Sequence, residues 1–409
     1  MSFQQGLSGL NAASKSLDVI GNNVANAGTV GFKGSQAQFA DVFSAALGGG
    51  GASQIGIGTK LASVAQQFTQ GNITTTANPL DIAINGNGFF RMSQNGAVTY
   101  TRNGQFQLDK NGFIVNNNGL HLTGYDVDAT GAIIATTPVE LQFTASKQSL
   151  PSNPTGLISL GLNLDARSAV PTVGIFNPNN PLSYNSSTST SVYDSLGNSH
   201  VFAVYFVKQA APVNTWNVEA TFDGTVVAPA PGTLTFNGSG ALTTAMPLAP
   251  AISVALTNGA NTPLVFSLDF TGSTQFGSNF GVNTLTQDGF AAGTLAGFNV
   301  GSDGVIEGRY TNGQSKNLGQ VVLTDFANPQ GLQPLGNNQW AQTPESGQPL
   351  VGAPGTGKMG VMQSAAVEDA NIDLTAELVA MITAQRIYQA NAQTIKTQDA
   401  VLQTLVNLR

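Results

Sequence analysis

The sequence predicts a mixed, mainly β protein whose two ends form paired α-helices. Three observations lead to this fold class: a heptad-spaced apolar pattern at each end, Asn-Gly dipeptides spaced by about eight residues, and a sparsely charged stretch from 152 to 284. Heptad spacing is typical of coiled coils, and regular turns between short strands are typical of β-domains. We therefore predict a coiled-coil-like terminal helical domain and two nested β-rich domains.

The first residues of the chain carry one heptad pattern. Apolar or small side chains step by four and three positions, at Phe3, Leu7, Leu10, Ser14, Leu17, Gly21 and Val24. This spacing places them on one face of a helix of about three heptads. Gly28, Gly31 and Gly34 follow within a short span, and glycines of this kind end helices. We therefore predict that the helix ends near Asn22-Asn23.

The C-terminal end of the chain repeats this design. Its apolar positions are Leu374, Leu378, Met381, Tyr388, Ala392, Ile395 and Leu402. Gln385 and Asp399 are polar positions in the same pattern. Asp373 and Glu377 stand at the start, where the helix dipole favours negative charge. One long helix is predicted over this segment.

The faces around these patterns are poor in charge. Exposed faces of soluble helices are normally rich in Glu and Lys, yet the first helix carries only Lys15 and Asp18. In one interpretation the two ends simply pair and form a terminal helical domain. In the other, further copies of the chain also cover these faces, and the protein is a polymer subunit. Both interpretations are compatible with the sequence pattern.

Composition divides the chain into domains. Residues 35–70, with the glycine run 48–51, are rich in Gly, Ala, Ser and Gln, as is typical of a connector with little core. Strand-like segments follow, separated by the dipeptides Asn95-Gly96, Asn103-Gly104, Asn111-Gly112 and Asn118-Gly119. They predict a first β-domain over 71–145 and 285–360, because Asn-Gly is the strongest short hairpin signal.

The stretch from 152 to 284 has a different composition. It holds only seven charged side chains and is dense in Pro, Thr and Asn. We predict a separately folded β-domain over 146–284, inserted in the first. Residues 1–34 and 361–409 then form the helical domain, because nesting of this kind brings the two ends together.

Composition also excludes several functions. The chain has 15 Lys and Arg against 22 Asp and Glu, a net charge of −7, so no basic field exists to hold a nucleic acid. It has no Cys, which removes disulfides, thiolate metal sites and thiol nucleophiles. No apolar run is long enough for a membrane span, and the N-terminus lacks a signal-peptide pattern. If the protein leaves the cytoplasm, we expect another route.

Four motifs resemble ligand sites but are incomplete. Residues 352–359 fit a Walker A pattern except that Met359 stands where a hydroxyl residue should bind magnesium. Asp126 and Asp128 begin like a calcium loop that lacks its bidentate Glu. His121 and His200 have no triad partners nearby in sequence, and Trp216 and Trp340 are interpreted as core residues. We therefore predict no catalytic, metal or cofactor site.

One segment after the first helix resembles a family signature. The sequence Ala25-Asn26-Ala27-Gly28-Thr29-Val30-Gly31-Phe32-Lys33 is similar to the A-N-x-x-T-x-G-[FY]-K motif of bacterial flagellar rod and hook proteins. The motif residues are Ala25, Asn26, Thr29, Gly31, Phe32 and Lys33. Residues 78–90, 100–104 and 360–408 resemble the same family. The inserted region has no such match, and its assignment rests on position.

The resemblance implies a function and partners. Rod subunits lack a large insert, so a 409-residue chain with one inserted β-domain resembles the hook members of the family. These form a bendable tube outside the cell that acts as a universal joint between motor and filament, with terminal helices innermost and the insert outermost. The implied partners are further copies of the chain, the distal-rod protein, the hook cap protein, the first hook-filament junction protein and the flagellar type III exporter. The implied route of export needs no cleaved signal peptide.

The helical ends are then expected to carry the contacts between copies. We predict a polymerisation seam formed by Phe3, Leu7, Leu10, Leu17, Val24, Leu374, Leu378, Met381, Tyr388, Ile395 and Leu402. Three alternatives stay open: a distal-rod subunit, a secreted β-rich adhesive or carbohydrate-binding protein, and a glycan-cleaving enzyme. The last would need a pair of carboxylates with one raised pKa, and the adhesive protein would have no use for two heptad seams.

Overall fold

The computed structural model describes residues 2–42 and 56–407, and the middle of the predicted connector, with the glycine run 48–51, lies outside them. The described α-helices are α1 (Ser2–Ala25), α2 (Ala145–Gln148) and α3 (Leu374–Asn407). Short 3-10 helices span Pro181–Ser183 and Pro329–Gly331. The predicted fold class, mainly β with interacting terminal helices, is confirmed.

Strands form most of the remaining described chain. The first ten are β1 (Ser35–Val42), β2 (Gly58–Gln66), β3 (Ile73–Thr75), β4 (Ile82–Asn85), β5 (Phe89–Gln94), β6 (Ala97–Thr101), β7 (Phe106–Leu108), β8 (Ile114–Asn116), β9 (His121–Val127) and β10 (Ile133–Glu140). The next ten are β11 (Ser149–Leu150), β12 (Leu157–Asn163), β13 (Ser186–Tyr193), β14 (Ser199–Lys208), β15 (Thr215–Phe222), β16 (Thr225–Val226), β17 (Gly232–Thr235), β18 (Leu248–Val254), β19 (Leu264–Asp269) and β20 (Gly281–Gln287). The last nine are β21 (Gly293–Val300), β22 (Val305–Tyr310), β23 (Ser315–Val321), β24 (Leu323–Asp325), β25 (Gln333–Gly336), β26 (Gln339–Ala341), β27 (Leu350–Gly352), β28 (Val361–Ser364) and β29 (Ala366–Glu368).

The chain folds into two compact units. The first comprises Met1–Thr144, Gly297–Arg309 and Ser315–Arg409, and the second comprises Ala145–Ala296 with Tyr310–Gln314. The stretch predicted as an insert, 146–284, lies in the second unit, which extends past it to Ala296. The first unit contains both terminal helices.

Helix α1 runs further than the sequence predicts. It continues past Asn22-Asn23 to Ala25. The Asn22 carbonyl accepts hydrogen bonds from the Asn26 backbone at 3.1 Å and from the Asn26 side chain at 2.9 Å, which satisfies an end-of-helix carbonyl. The asparagines therefore complete the last turn of the helix.

Residues 35–70 contain two strands that the sequence analysis did not predict. β1 and β2 pair antiparallel with a register shift between Gln38 and Phe39. Each of their side chains is at least partly exposed. Ser8 Oγ of α1 accepts a hydrogen bond from the Thr59 backbone at 3.3 Å, so the hairpin packs on α1. The residues of this segment are small, and apolar and polar side chains alternate too weakly here to predict a strand.

A large antiparallel sheet supplies most of the β-structure of the first unit, which also contains the strand pairs β1-β2, β28-β4 and β29-β3. Its strands follow the order β22-β23-β9-β5-β6-β26-β25, and β5 and β6 are joined by the predicted turn at Asn95-Gly96, where both φ angles are positive. Asn103-Gly104, in contrast, is not a hairpin turn. The Gly104 carbonyl accepts a bond from the Ile82 backbone at 2.9 Å, and a Cβ at Gly104 would lie 1.7 Å from the Ile82 carbonyl oxygen. Glycine is needed there for close approach of two backbone segments.

The second unit is built on two sheets. One has the order β18-β19-β12-β20, and the other has the order β13-β14-β15-β16 with β17 also on β15. Phe202 of the second sheet packs on Phe266 of the first, with ring centroids 5.0 Å apart. Trp216 is fully buried in the same core, and Trp340 is buried in the first unit. Both tryptophans are core residues, as predicted.

Candidate assembly surface

The two terminal helices pack against each other in antiparallel register. Asn23 near the end of α1 donates to Glu377 Oε1 near the start of α3 at 3.0 Å. At the other end of α1, a Cβ at Gly9 would lie 2.6 Å from Asn391 Oδ1, and one at Gly6 would lie 3.1 Å from Ile395 Cγ1. The two glycines therefore let the helices approach closely.

The face of α1 that is buried in the chain is not the predicted apolar pattern. Its buried positions are Gly6, Ala13, Ile20 and Asn23. Gly6, Ala13 and Ile20 are spaced by seven residues, and each lies one position before a member of the predicted heptad pattern, which is Leu7, Ser14 or Gly21. The contact within the chain therefore uses small residues near the N-terminal end of α1 and Ile20 and Asn23 near its C-terminal end, and the larger apolar residues of the predicted pattern are less buried.

The predicted seam is left partly open in the single chain. Its exposed members are Phe3, Leu7, Leu374, Leu378, Tyr388 and Leu402. Its half-buried members are Leu10, Leu17, Val24, Met381 and Ile395. In α1, Phe3 is 46% exposed and Leu7 is 45% exposed. Each helix thus keeps an uncovered apolar stripe after the two have paired.

Several residues of this surface escaped the sequence analysis. On α3 the further exposed apolar residues are Val379, Ile382, Ile387 and Val401. Ala384 and Asn391 contribute to the inner face of α3. The signal that could have found the inner face is the seven-residue spacing of small residues in α1, a pattern that a search for large apolar residues overlooks.

The family motif forms the turn that follows α1. The Thr29 backbone donates to the Asn26 carbonyl at 3.0 Å, and the Phe32 backbone donates to the Thr29 carbonyl at 3.2 Å. Gly31 has φ +69°, and a Cβ there would lie 2.5 Å from the Asn103 backbone nitrogen. Glycine is therefore required at this position for two reasons, the positive φ angle and the close approach of the Asn103 backbone.

Lys33, the last motif residue, lies in a buried charge cluster. Its Nζ donates to Glu368 Oε1 at 2.6 Å and to the Thr69 carbonyl at 2.7 Å. Arg102 Nη1 donates to Glu368 Oε2 at 3.1 Å, and Nη2 donates to the Gly86 carbonyl at 2.8 Å. Lys33 and Glu368 are each 1% exposed. Two cations thus share one carboxylate inside the first unit.

Burial and the charge of Glu368 shift the pKa values of the two cations in this cluster in opposite directions. Burial lowers the pKa of Lys33, while the charge of Glu368 acts to raise it. Burial also lowers the pKa of Arg102, again against Glu368. The Arg102 guanidinium lies 5.4 Å from the centroid of the Phe89 ring, a cation-π distance. Sequence reasoning flagged Lys33 and Arg102 only as parts of family segments and did not single out Glu368.

The two histidines acquire acidic partners by folding. His121 Nδ1 lies 2.6 Å from Glu140 Oε2. His200 Nδ1 lies 2.7 Å from Asp223 Oδ2, and its Nε2 lies 3.4 Å from Asp194 Oδ2. Burial would lower the pKa of His200, but hydrogen bonds to both aspartates outweigh it and raise that pKa. A carboxylate on each ring nitrogen favours a doubly protonated ring that links chain segments.

The other motifs do not assemble into ligand sites. The Walker-like residues 352–359 lead into strand β28, where a nucleotide site would have a helix. Asp128 Oδ1 accepts bonds from Thr130 and Ala132 of its own turn. Within 2–42 and 56–407, three or more His, Asp or Glu side chains are nowhere grouped to hold a metal ion. Among the described helices, none is long and apolar enough to cross a membrane.

Family models match both helices and most of the β-structure. They are the flagella basal body rod protein over 3–33, the flagellar hook protein FlgE/F/G D1 domain over 83–159, the flagellar basal body protein FlaE D2 domain over 163–290 and the flagellar basal body rod FlgEFG protein C-terminal over 363–408. The chain is 44% identical over 415 residues to the flagellar hook protein FlgE of Escherichia coli strain K12, and both chains are covered completely. The chain belongs to the flagellar hook protein family. The resemblance found in the sequence is thereby confirmed.

Further hook proteins are also similar to this chain over its full length or most of it. Identity is 43% over 417 residues to the flagellar hook protein FlgE of Salmonella typhimurium strain LT2, with both chains covered completely. It is 31% over 441 residues to that of Borreliella burgdorferi, covering 100% of this chain and 99% of the relative. The crystal structure of Helicobacter pylori flagellar hook protein FlgE2 matches 71% of this chain and 99% of its own, with a TM-score of 0.53 and 14% identity. This last likeness supports the fold alone.

Proposed function

We propose that this chain is the structural subunit of a flagellar hook, a helical homopolymer that bends while it transmits rotation from the motor to the filament. The observation that carries this proposal is the pair of uncovered apolar stripes on α1 and α3. A monomer gains nothing from a row of half-exposed Leu, Ile and Val side chains on helices that are already paired. Neighbouring copies in a polymer would bury them.

The mechanical role follows from two kinds of contact. Apolar stripes on the terminal helices would hold an inner tube, and this tube would resist torsion. The second unit has few charged groups, so contacts made by it can be exchanged at little cost compared with desolvated ion pairs. We propose that these outer contacts slide as the tube bends. The division into an inner helical domain, a first β-domain and an insert at 146–284 is part of this proposal.

The proposal includes partners and a location. The hook lies outside the cell and extends from the basal body. Its ends would contact the distal-rod protein, the hook cap protein and the first hook-filament junction protein. The subunit would pass through the flagellar type III exporter without a cleaved signal peptide, and it would have no catalytic role.

Electron microscopy of the purified chain tests the proposal. We expect curved tubes from the wild-type chain. Leu402→Asp should abolish them, because Leu402 is 54% exposed on the α3 stripe and a buried unpaired charge is costly. Gln389→Asp, at an exposed polar position of the same helix, is the matched control and should form tubes. Normal tubes from Leu402→Asp would contradict the stripe as an assembly surface.

A further inference from the structure

We propose that the buried cluster of Lys33, Glu368 and Arg102 is a positioning site for assembly. It fixes the terminal helix pair on the β-strands of the first unit, so that the apolar stripes meet a neighbouring copy in one orientation. This inference rests on the proposed function, since it assigns a role to residues that do not themselves lie on the stripes.

The cluster joins three separate parts of the chain. Lys33 follows α1, Glu368 ends β29 shortly before α3, and Arg102 follows β6. The Gly31 backbone also donates to the Glu368 carbonyl at 2.7 Å. One residue, Glu368, therefore holds the segment leaving α1, the segment leading into α3 and the end of a sheet strand.

The hydrogen bonds of the cluster fit one arrangement. Glu368 Oε1 accepts from Lys33 Nζ at 2.6 Å and from the Gly71 backbone at 2.9 Å, and Oε2 accepts from Arg102 Nη1 at 3.1 Å. The backbone carbonyl of Thr69 takes a further donor of Lys33. A displacement of any one segment would leave a buried cation without its carboxylate. Such a state is strongly disfavoured.

Stability alone does not account for three charged groups here. Replacing a buried ion pair or triad by apolar side chains of similar size is often neutral or stabilising. Aromatic core residues such as Phe89 lie next to Arg102 and would accept apolar neighbours. Apolar side chains pack in several ways, whereas the bonds from Lys33 and Arg102 to Glu368 form in one arrangement, even though the buried Arg102 Nε has no partner among the described residues. The cluster therefore specifies orientation.

A triple variant separates orientation from stability. Lys33→Met, Glu368→Leu and Arg102→Met together remove all three charges while keeping apolar volume. The chain has no Cys, so spin labels can be attached through Lys15→Cys on α1 and Lys110→Cys beyond β7, both exposed positions of the first unit. Electron-spin distance measurements then report the pose of α1 on the sheet. Labelled chain is measured alone and diluted into tubes of unlabelled wild type.

We expect a narrow distance distribution in the wild type and one at least twice as wide in the triple variant. The triple variant should unfold within a few degrees of the wild type, and its yield of tubes should fall at least tenfold. Ile114→Val is the control, because it removes one buried methyl group from β8 without touching the cluster. It should keep the narrow distribution and the tube yield.

Other outcomes are equally decisive. An unchanged distance distribution and tube yield in the triple variant would overturn the positioning role. If the triple variant fails to fold, Lys33→Met alone keeps the Arg102–Glu368 ion pair and should still widen the distribution, and a narrow one would overturn the proposal. If the wild type forms no tubes, the proposed function fails, while the distances in the soluble chain still decide the positioning role.

Discussion

Leu7→Asp tests the size of the apolar contribution to assembly. Leu7 lies on α1 and is 45% exposed in the single chain. Complete burial of a leucine side chain contributes roughly 1.5–3 kcal/mol, so covering its exposed part contributes roughly 0.7–1.4 kcal/mol. An unpaired carboxylate in the same contact adds a cost of several kcal/mol. The sum is at least about 3 kcal/mol, which corresponds to about a 100-fold or larger rise in the critical concentration for assembly.

The same substitution should leave the chain itself folded. Leu7 is half exposed, and substitutions at such surfaces usually change stability by about 0.5 kcal/mol or less. Asn11→Asp introduces the same charge one turn further along the helix, at an exposed polar position. It is the matched control.

Sedimentation of chain at graded concentrations measures the critical concentration directly. Circular dichroism of the soluble fraction checks that both variants keep their helix and strand content. We expect Asn11→Asp to assemble within a few-fold of the wild type and Leu7→Asp to remain soluble. A Leu7→Asp chain that assembles within threefold of the Asn11→Asp control would refute the reasoning.

Three further predictions concern other parts of the chain. The ion pairs of His200 should stabilise the second unit fully below pH of about 6.5 and lose this effect as pH rises through the raised pKa. NMR titration measures the shift, and the loss of thermal stability between about pH 6.5 and the raised pKa should be smaller in His200→Gln than in the wild type. Gly31→Ala should cost about 2–5 kcal/mol in urea unfolding, from a positive φ and a backbone clash, whereas Gly28→Ala in the same motif meets nothing within 4 Å among the described residues and should cost little. Deleting 145–296 with a short Gly/Ser join should leave tubes that are straighter, and normal curvature would deny the second unit a mechanical role.

The deletion is feasible because the chain leaves the first unit and returns to it at neighbouring positions. Phe143 and Phe298 both belong to that unit, and their ring centroids lie 5.4 Å apart. The two ends of the deletion therefore lie close enough for a short join, as expected for an inserted domain, although the join replaces the first residues of β21.

Sequence patterns were sufficient for the fold class and for one long C-terminal helix. Heptad spacing and Asn-Gly turns are local signals, and local signals can be recognised without knowing which distant residues are in contact. The charge cluster could not be found in this way, because Lys33 and Glu368 are 335 residues apart in sequence. The pairing of His200 with Asp223 escaped for the same reason, since it depends on the register of β14 and β15.

The inner face of the helix pair escaped for a different reason. A search for apolar side chains ranks Leu and Phe above Gly and Ala, but α1 approaches α3 closely where a Cβ is absent, at Gly6 and Gly9. Gly6 and Gly9 thus form part of the contact within the chain, while Phe3 and Leu7 beside them remain exposed. If Leu7 and its neighbours were buried against α3, pairing would consume the surface that assembly needs. Separating the two stripes by one helix position lets the chain pair its ends first and still offer an apolar face to the next copy.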